Sequence, residues 1–237
     1  MPSVAIEIGA GLTDPIGPGY VYGDGSFHYV PVPESDSTVE RPKFSELNVP
    51  DPLIEECKNR AAMMNPEFPS LPTGERATYA VTSSTESEIP SRLKKGDYIF
   101  FYTQLRYHPW DVPKLSGIDH DTDYYIIGQI RLARDPVIIN GHWNIPRNLW
   151  RAFSTNAVRR RQQFEALALI LGETTTSGLY DAVLPMNGFR PDSDHDGAIN
   201  LRINDRRHNS PIFLDQDQTD RILIQSSGGR TATPMIQ

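Results

Sequence analysis

The chain has 237 residues, of which 38% are hydrophobic and 9% aromatic, and a formal net charge of −7. That is enough apolar material for a sizeable core, and the acidic balance argues against a protein that coats nucleic acid without discrimination. One cysteine, Cys57, excludes an internal disulfide and a multi-cysteine zinc site, and no run of about 18 apolar residues offers a membrane span. The N-terminal Met-Pro-Ser-Val-Ala-Ile-Glu lacks the basic and long apolar regions of a secretory signal, so cytoplasmic residence is the default expectation.

Residues 4–9 are expected to form a first strand. A stretch dense in glycine and proline follows, Asp14-Pro-Ile-Gly-Pro-Gly-Tyr-Val-Tyr-Gly-Asp-Gly25, leading to Phe27-His-Tyr-Val-Pro-Val-Pro33. Such density predicts an ordered, irregular loop with a Gly23-Asp-Gly25 hairpin turn, and loops of this kind often line sites. Asp51 has the character of an N-cap and Pro52 of a first helical residue, which predicts a helix over 51–64 that buries Cys57. Strands are expected at 75–82, 97–105, 123–133 and 136–139, with a loop or short helix over 84–95. From Pro146 to Leu171 the spacing of Trp150, Phe153, Ala157, Phe164, Leu167, Ala168 and Leu171 predicts helix, with Ser154-Thr-Asn156 capping its second segment. Beyond 173 the chain is rich in turns, with short strands expected near 199–203 and 221–225.

The segment Leu93-Lys-Lys-Gly-Asp-Tyr-Ile-Phe-Phe-Tyr102 and its answer Tyr124-Tyr-Ile-Ile-Gly-Gln-Ile-Arg-Leu132 carry the clearest pattern. A basic Gly-Asp turn opens a strand of aromatic and β-branched residues, and a second strand contains Gly128. The two are expected to be adjacent and hydrogen-bonded, with Gly128 at a bulge or a close backbone approach. Alternation puts Tyr98, Phe100 and Tyr102 on one face and Phe101 on the other.

Four constellations are candidates for chemistry. Residues 131–164 hold seven arginines against one acid, whereas residues 1–60 hold ten acids against four bases. Arg159, Arg160 and Arg161 crowd a helix start, where the macrodipole disfavours cations, and residues about 100° apart cannot share one solvated face. Arg160 lies toward the apolar side and needs a carboxylate or phosphate, so an anion site and an internal salt bridge both stay open. Arg206 and Arg207, in Asp205-Arg-Arg-His-Asn-Ser210, either complete that phosphate site or cap neighbouring turns. Tyr102, Tyr107 and Trp110 offer flat rings on which a base could stack, against the alternative of aromatic packing. Asp192-Ser-Asp-His-Asp-Gly197 opens like a calcium loop, but Ile203 stands where a bidentate glutamate is needed, so no complete cage is expected. Asp192, Asp194, His195 and Asp196 remain candidates for a divalent metal, the one cofactor these residues raise, beside the reading of a polar turn.

The segment Pro15–Pro33 resembles the start of the nucleotide modification associated domain 3 family, in which a glycine and proline turn precedes a hairpin and a proline-flanked strand. The Leu93–Tyr102 block, with Lys95-Gly-Asp97 and Phe100-Phe101, resembles that family's central strand. The resemblance spans most of residues 1–175 and rests on turn and strand signatures. It implies association with systems that hypermodify or process DNA bases. Over about 93–138 the strand pair also resembles PUA-like barrels such as EVE and ASCH domains, where an aromatic strand lies beside a modified-base pocket.

The expected architecture is therefore one α+β domain over 1–237, with a core of about 1–175 and a turn-rich extension of about 176–237. Its core is a strongly bent mixed sheet or a PUA-like small β-barrel, with helices over 51–64 and 146–171 flanking it. The expected function is that of a component of a DNA or nucleotide base-modification system. It would bind a nucleotide or modified base through Arg159–Arg161, with the base near Tyr102, Tyr107 and Trp110, and would meet other proteins of that system. Two alternatives stay open: a metal-dependent enzyme acting on that nucleotide, and an adaptor subunit whose arginines meet an acidic protein partner.

Overall fold

The computed structural model describes residues 2–10, 16–34, 42–47, 49–50, 55, 57–69, 77–82, 86–108, 122–139, 145–160, 166–187, 199–200 and 210–227. The main sheet is mixed. It contains β1 (Ser3–Glu7), β2 (Gly19–Val21), β4 (Tyr98–Tyr107), β5 (Thr122–Arg131), β8 (Gly178–Asn187), β9 (Ile199–Asn200) and β10 (Ile212–Leu214), ordered β10-β1-β4-β5-β8-β9 with β2 also on β4. A second sheet has the order β3 (Thr78–Val81), β7 (Ala168–Leu171), β6 (Val137–Ile138). The short helices α1 (Ile89–Arg92), α2 (Arg147–Ala152) and α3 (Ala157–Arg160) and the longer α4 (Gln216–Ser227) complete the mixed α+β fold. The sheet order ends at β10 and β9, strands of three and two residues, so no closed barrel forms among the described residues. None of the described helices is long and apolar enough to cross a membrane.

The aromatic strand pair forms as its pattern predicts. β4 and β5 are antiparallel, from Tyr98 opposite Arg131 to Arg106 opposite Thr122, and the register slips between Phe101 and Tyr102. Phe101 faces Gly128 while Tyr102 faces Ile126, so Ile127 is the extra residue of a bulge on β5. Gly128 also sits hard against β8: a Cβ there would lie 2.6 Å from the Gly178 carbonyl oxygen. Alternation then divides the core. Ile99, Phe101 and Leu105 enter one cluster with Val4, Ile6, Tyr125, Ile127 and Ile130, while Phe100 and Tyr102 enter another with Ala5, Tyr124, Ile126 and Ile222.

Three expectations are corrected. Residues 57–64 are not helical: they form turns, with Ala61 and Ala62 bridging Lys43 and Pro33, and Cys57 is buried among them. Backbone pairing with these neighbours, Ala62 N–H to the Pro42 carbonyl among them, takes the place of helical bonds. The helix expected over 146–171 stops early, and Ala168–Leu171 is strand β7, paired antiparallel to β3. A four-residue apolar run fits either period, and here a sheet edge supplies the partners. Leu167, assigned to the apolar face, is 39% exposed as a result.

The third correction concerns 221–225, which lies within α4 and not in a strand. As a strand it would place Ile222 and Ile224 on one face, but Ile222 is fully buried and Ile224 exposed. The start signal is an Asp-x-x-Gln box. The Gln218 N–H donates to the Asp215 carboxylate at 2.8 Å, and the Asp215 N–H donates to Gln218 Oε1 at 3.0 Å. Replacing Asp215 with alanine should cost about 0.5–2 kcal/mol, read as a lower midpoint in urea with an unchanged slope. An unchanged midpoint would mean that packing of Ile222 alone holds this helix.

A buried polar network ties the second sheet to the arginine-bearing helix. The Thr78 hydroxyl donates to Glu67 Oε2 at 2.6 Å, and Asn156 Nδ2 donates to Thr78 Oγ1 at 3.1 Å. Asn156 Oδ1 accepts the Val158 N–H at 3.0 Å, so Asn156 caps α3 as its sequence position predicts. Asn65 satisfies both backbone groups of Ala80 on the outer side of β3, each at 2.8 Å.

Candidate functional site

β1 and β2 lie end to end along the same side of β4, both parallel to it. β1 pairs from Ser3 opposite Tyr98 to Glu7 opposite Tyr102, and β2 from Gly19 opposite Leu105 to Val21 opposite Tyr107. Alternation directs Val21 and Leu105 into the main core and Tyr20 and Arg106 to the opposite face. One step further along, the His108 N–H donates to the Val21 carbonyl, which places Tyr22 and His108 on the face of Tyr20 and Arg106.

The chain then turns back through Gly23–Gly25, as its sequence predicts. The Tyr22 N–H donates to the Ser26 carbonyl, the Gly25 N–H donates to the Tyr22 carbonyl, and Phe27 bridges Val21 antiparallel. Phe27 and Tyr29 pack on the main core, so alternation turns His28 outward beside Tyr20 and Tyr22. Gly19 permits this crossing: a Cβ there would lie 1.8 Å from the His28 carbonyl oxygen. The hairpin tip is fixed on β8 by the Val183 N–H, which donates to the Gly25 carbonyl at 2.9 Å.

Five side chains thus share one face: Tyr20, Tyr22, His28, Arg106 and His108. The His108 ring meets Tyr22 at a centroid distance of 4.8 Å and Tyr20, edge to face, at 5.2 Å; Tyr22 and His28 are 5.3 Å apart. The Tyr22 hydroxyl and His28 Nδ1 are hydrogen-bonded at 2.9 Å. Burial, and secondarily the nearby His108, hold the His28 imidazole below its ordinary pKa, so His28 is mostly neutral at pH 7. Arg106 is half-buried, its guanidinium beside Gly17, whose φ of +69° brings bare backbone close. No carboxylate among the described residues pairs with Arg106. Beside Tyr22 an open hollow of 420 Å³ is lined by Gly23, Asp24 and Ser26. Two hydrogen bonds from Ser26, side chain and backbone, keep the Asp24 carboxyl below its ordinary pKa, so it accepts hydrogen bonds as an anion.

Along the same face of β4, Gln104 Nε2 donates to the Tyr124 hydroxyl at 2.6 Å. Tyr102 meets the Tyr124 ring at 5.9 Å. Burial and the charge of Glu7 push the Tyr102 phenol up, and push that of Tyr124 to about 12, so both stay neutral at physiological pH.

The residues expected from sequence fall in several places. Tyr102 belongs to this face but is buried beneath it. Tyr107, the last residue of β4 and 37% exposed, points the other way and accepts a hydrogen bond from the Tyr125 hydroxyl at 2.7 Å. Five positions separate Tyr102 from Tyr107, which puts them on opposite faces of the strand. Arg159 and Arg160 lie in α3, but their side chains are outside the described residues. So are Trp110, Arg161, Asp192, Asp194, His195, Asp196, Arg206 and Arg207. Met186 of β8 pairs with Ile199 of β9. Among the described residues no three His, Cys, Asp or Glu side chains cluster as a metal site requires. Sequence reasoning passed over Tyr20, Tyr22, His28, Arg106 and His108 as a group. The two-residue spacing of Tyr20 with Tyr22 and of Arg106 with His108 was the available signal.

The family model described as nucleotide modification associated domain 3 matches residues 3–213. No curated protein and no solved structure matches the chain significantly.

Proposed function

The chain belongs to the nucleotide modification associated domain 3 family, and from that premise we propose that it binds a nucleotide of a base-modification system on the Tyr20–Tyr22–His28–Arg106–His108 face. The phosphate meets Arg106, the base lies against the rings of Tyr22 and His108, and the Asp24 carboxylate accepts from the base edge. One observation carries this reading: the half-buried Arg106 guanidinium has no acidic partner among the described residues, and its strand position shares a face with Tyr20, Tyr22 and His108. A cation so placed gains most from an oxyanion, because charge-assisted hydrogen bonds are strongest where water is partly excluded. Stacking on Tyr22 and His108 tolerates any base, since every base has a π-face. The reading also fits the net charge of −7, which disfavours long DNA and leaves a single nucleotide or short strand as ligand.

Titrating the full chain with thymidine monophosphate, and repeating with Arg106→Ala, tests this. The change should weaken binding by about 1.5–3 kcal/mol, roughly 10- to 150-fold in Kd, and reduce its salt dependence. Equal affinity of the two folded proteins would remove Arg106 from the site. Binding that instead depends on Arg159 and Arg160 would move the phosphate to α3, where the arginine run of the sequence put it.

A further inference from the structure

We propose that His28 and His108 form an acid–base pair that hydrolyses a nucleotide phosphodiester held by Arg106. The inference rests on the nucleotide reading of this face and extends it from binding to turnover. Two imidazoles reach the face from segments far apart in the chain, and both touch the same Tyr22 ring. They are close enough for the charge of His108 to oppose that of His28. His28 has the arrangement of an oriented base. Its Nδ1 is engaged by the Tyr22 hydroxyl, and its Nε2 has no partner among the described residues. With the Nδ1 proton donated to the Tyr22 oxygen, Nε2 keeps its lone pair for a proton from water. Tyr22 is the positioning residue here, since it fixes the ring and touches no reacting atom.

The substrate class follows from charge. A phosphomonoester carries about −1.5 to −2 at pH 7, whereas a phosphodiester carries a single negative charge. Arg106 is the one permanently charged cation among the five side chains of this face, and a singly charged diester needs no second guanidinium or ammonium. A diester also has an alkoxide leaving group, which needs a proton as it departs, and this explains the use of a second imidazole.

Water attacks phosphorus while His28 Nε2 removes its proton. The phosphorus–oxygen bond to the leaving sugar breaks, and protonated His108 gives its proton to that oxygen. A nucleoside and a nucleoside monophosphate leave, and exchange with solvent returns His28 to neutral and His108 to its protonated form. Arg106 holds the non-bridging oxygens as charge gathers on them in the transition state.

The test uses the full chain, the dinucleoside monophosphate of thymidine as probe, and excess EDTA throughout. Binding is measured by titration, and release of thymidine by chromatography. Wild type should turn the probe over with a bell-shaped pH profile. At saturating probe, His28→Gln and His108→Gln should each lose on the order of 10²–10⁴-fold in kcat, while the weaker binding that follows from loss of the stacking His108 ring is read separately by titration. The acid limb of the profile should vanish with His28→Gln and the alkaline limb with His108→Gln, changes that a merely structural role would not produce. Binding without turnover by wild type, turnover abolished by EDTA, or full activity in either variant overturns the acid–base pair and leaves the nucleotide reading standing. Failure of wild type to bind the probe, or thymidine monophosphate, overturns both.

Discussion

Replacing Gly128 with alanine should destabilise the fold by about 2–3 kcal/mol, a loss of roughly 5–10 °C in thermal midpoint for a chain of this size. The added Cβ would lie 2.6 Å from the Gly178 oxygen and 3.1 Å from the Leu179 Cα, and both are backbone atoms of β8 that no rotamer change can move aside. Relief requires β8 to retreat from β5, and β8 is held at Gly25 as well as at β5. The same change at Gly178 is the control: a Cβ there meets nothing within 4 Å, so Gly178→Ala should leave the midpoint nearly unchanged. Thermal unfolding of the two variants side by side decides the matter. Equal midpoints would show that β5 and β8 are not packed backbone to backbone at the bulge.

Gly128 also marks how far the sequence could be read. The β4–β5 pair was legible because a Gly-Asp turn, alternating aromatic residues and an interior glycine all pointed to one geometry, and each cue acts within a dozen residues. The split of Tyr98, Phe100 and Tyr102 from Phe101 followed from the pleat alone. Ala168–Leu171 was not legible, because four apolar residues fit helix or strand until a neighbour offers hydrogen bonds, and that neighbour, β3, lies about ninety residues earlier. The helix over 216–227 was announced by Asp215 and Gln218, whereas Ile222 and Ile224, β-branched and two residues apart, fit the strand expected over 221–225. The candidate site was the least visible part. His28 stood inside a segment that drew attention, and His108 lay just beyond the strand expected at 97–105. Their meeting depends on the parallel pairing of β2 with β4, which joins residues more than eighty apart and leaves no local trace.

The largest electrostatic effect is expected at Asn156. This side chain is fully buried and does two jobs: its oxygen caps α3 at the Val158 N–H, and its amide donates to Thr78 Oγ1, whose own proton goes to Glu67, and at 3.4 Å to Asn65 Oδ1. Asn156→Ala should cost about 2–4 kcal/mol, combining a lost cap with a hydroxyl oxygen left without its donor. Asn156→Asp separates the two jobs. The introduced carboxylate can still cap α3 but faces the Thr78 oxygen as an acceptor and adds a negative charge beside the buried Glu67 carboxyl. Burial and that neighbour raise the introduced group's pKa in the folded state above its unfolded value near 3.9. A raised carboxyl pKa makes the folded state the better proton binder, so its penalty is full at high pH and shrinks as pH falls through the folded pKa. Asn156→Asp should therefore be less stable than Asn156→Ala at pH 8, with the gap closing toward pH 5, as read by denaturant midpoints. A gap that does not change with pH would mean that Glu67 and the capping position are not electrostatically joined. In that case the helix bearing Arg159 and Arg160 is held by packing of Phe153 and Val158 and not by the polar chain beneath it.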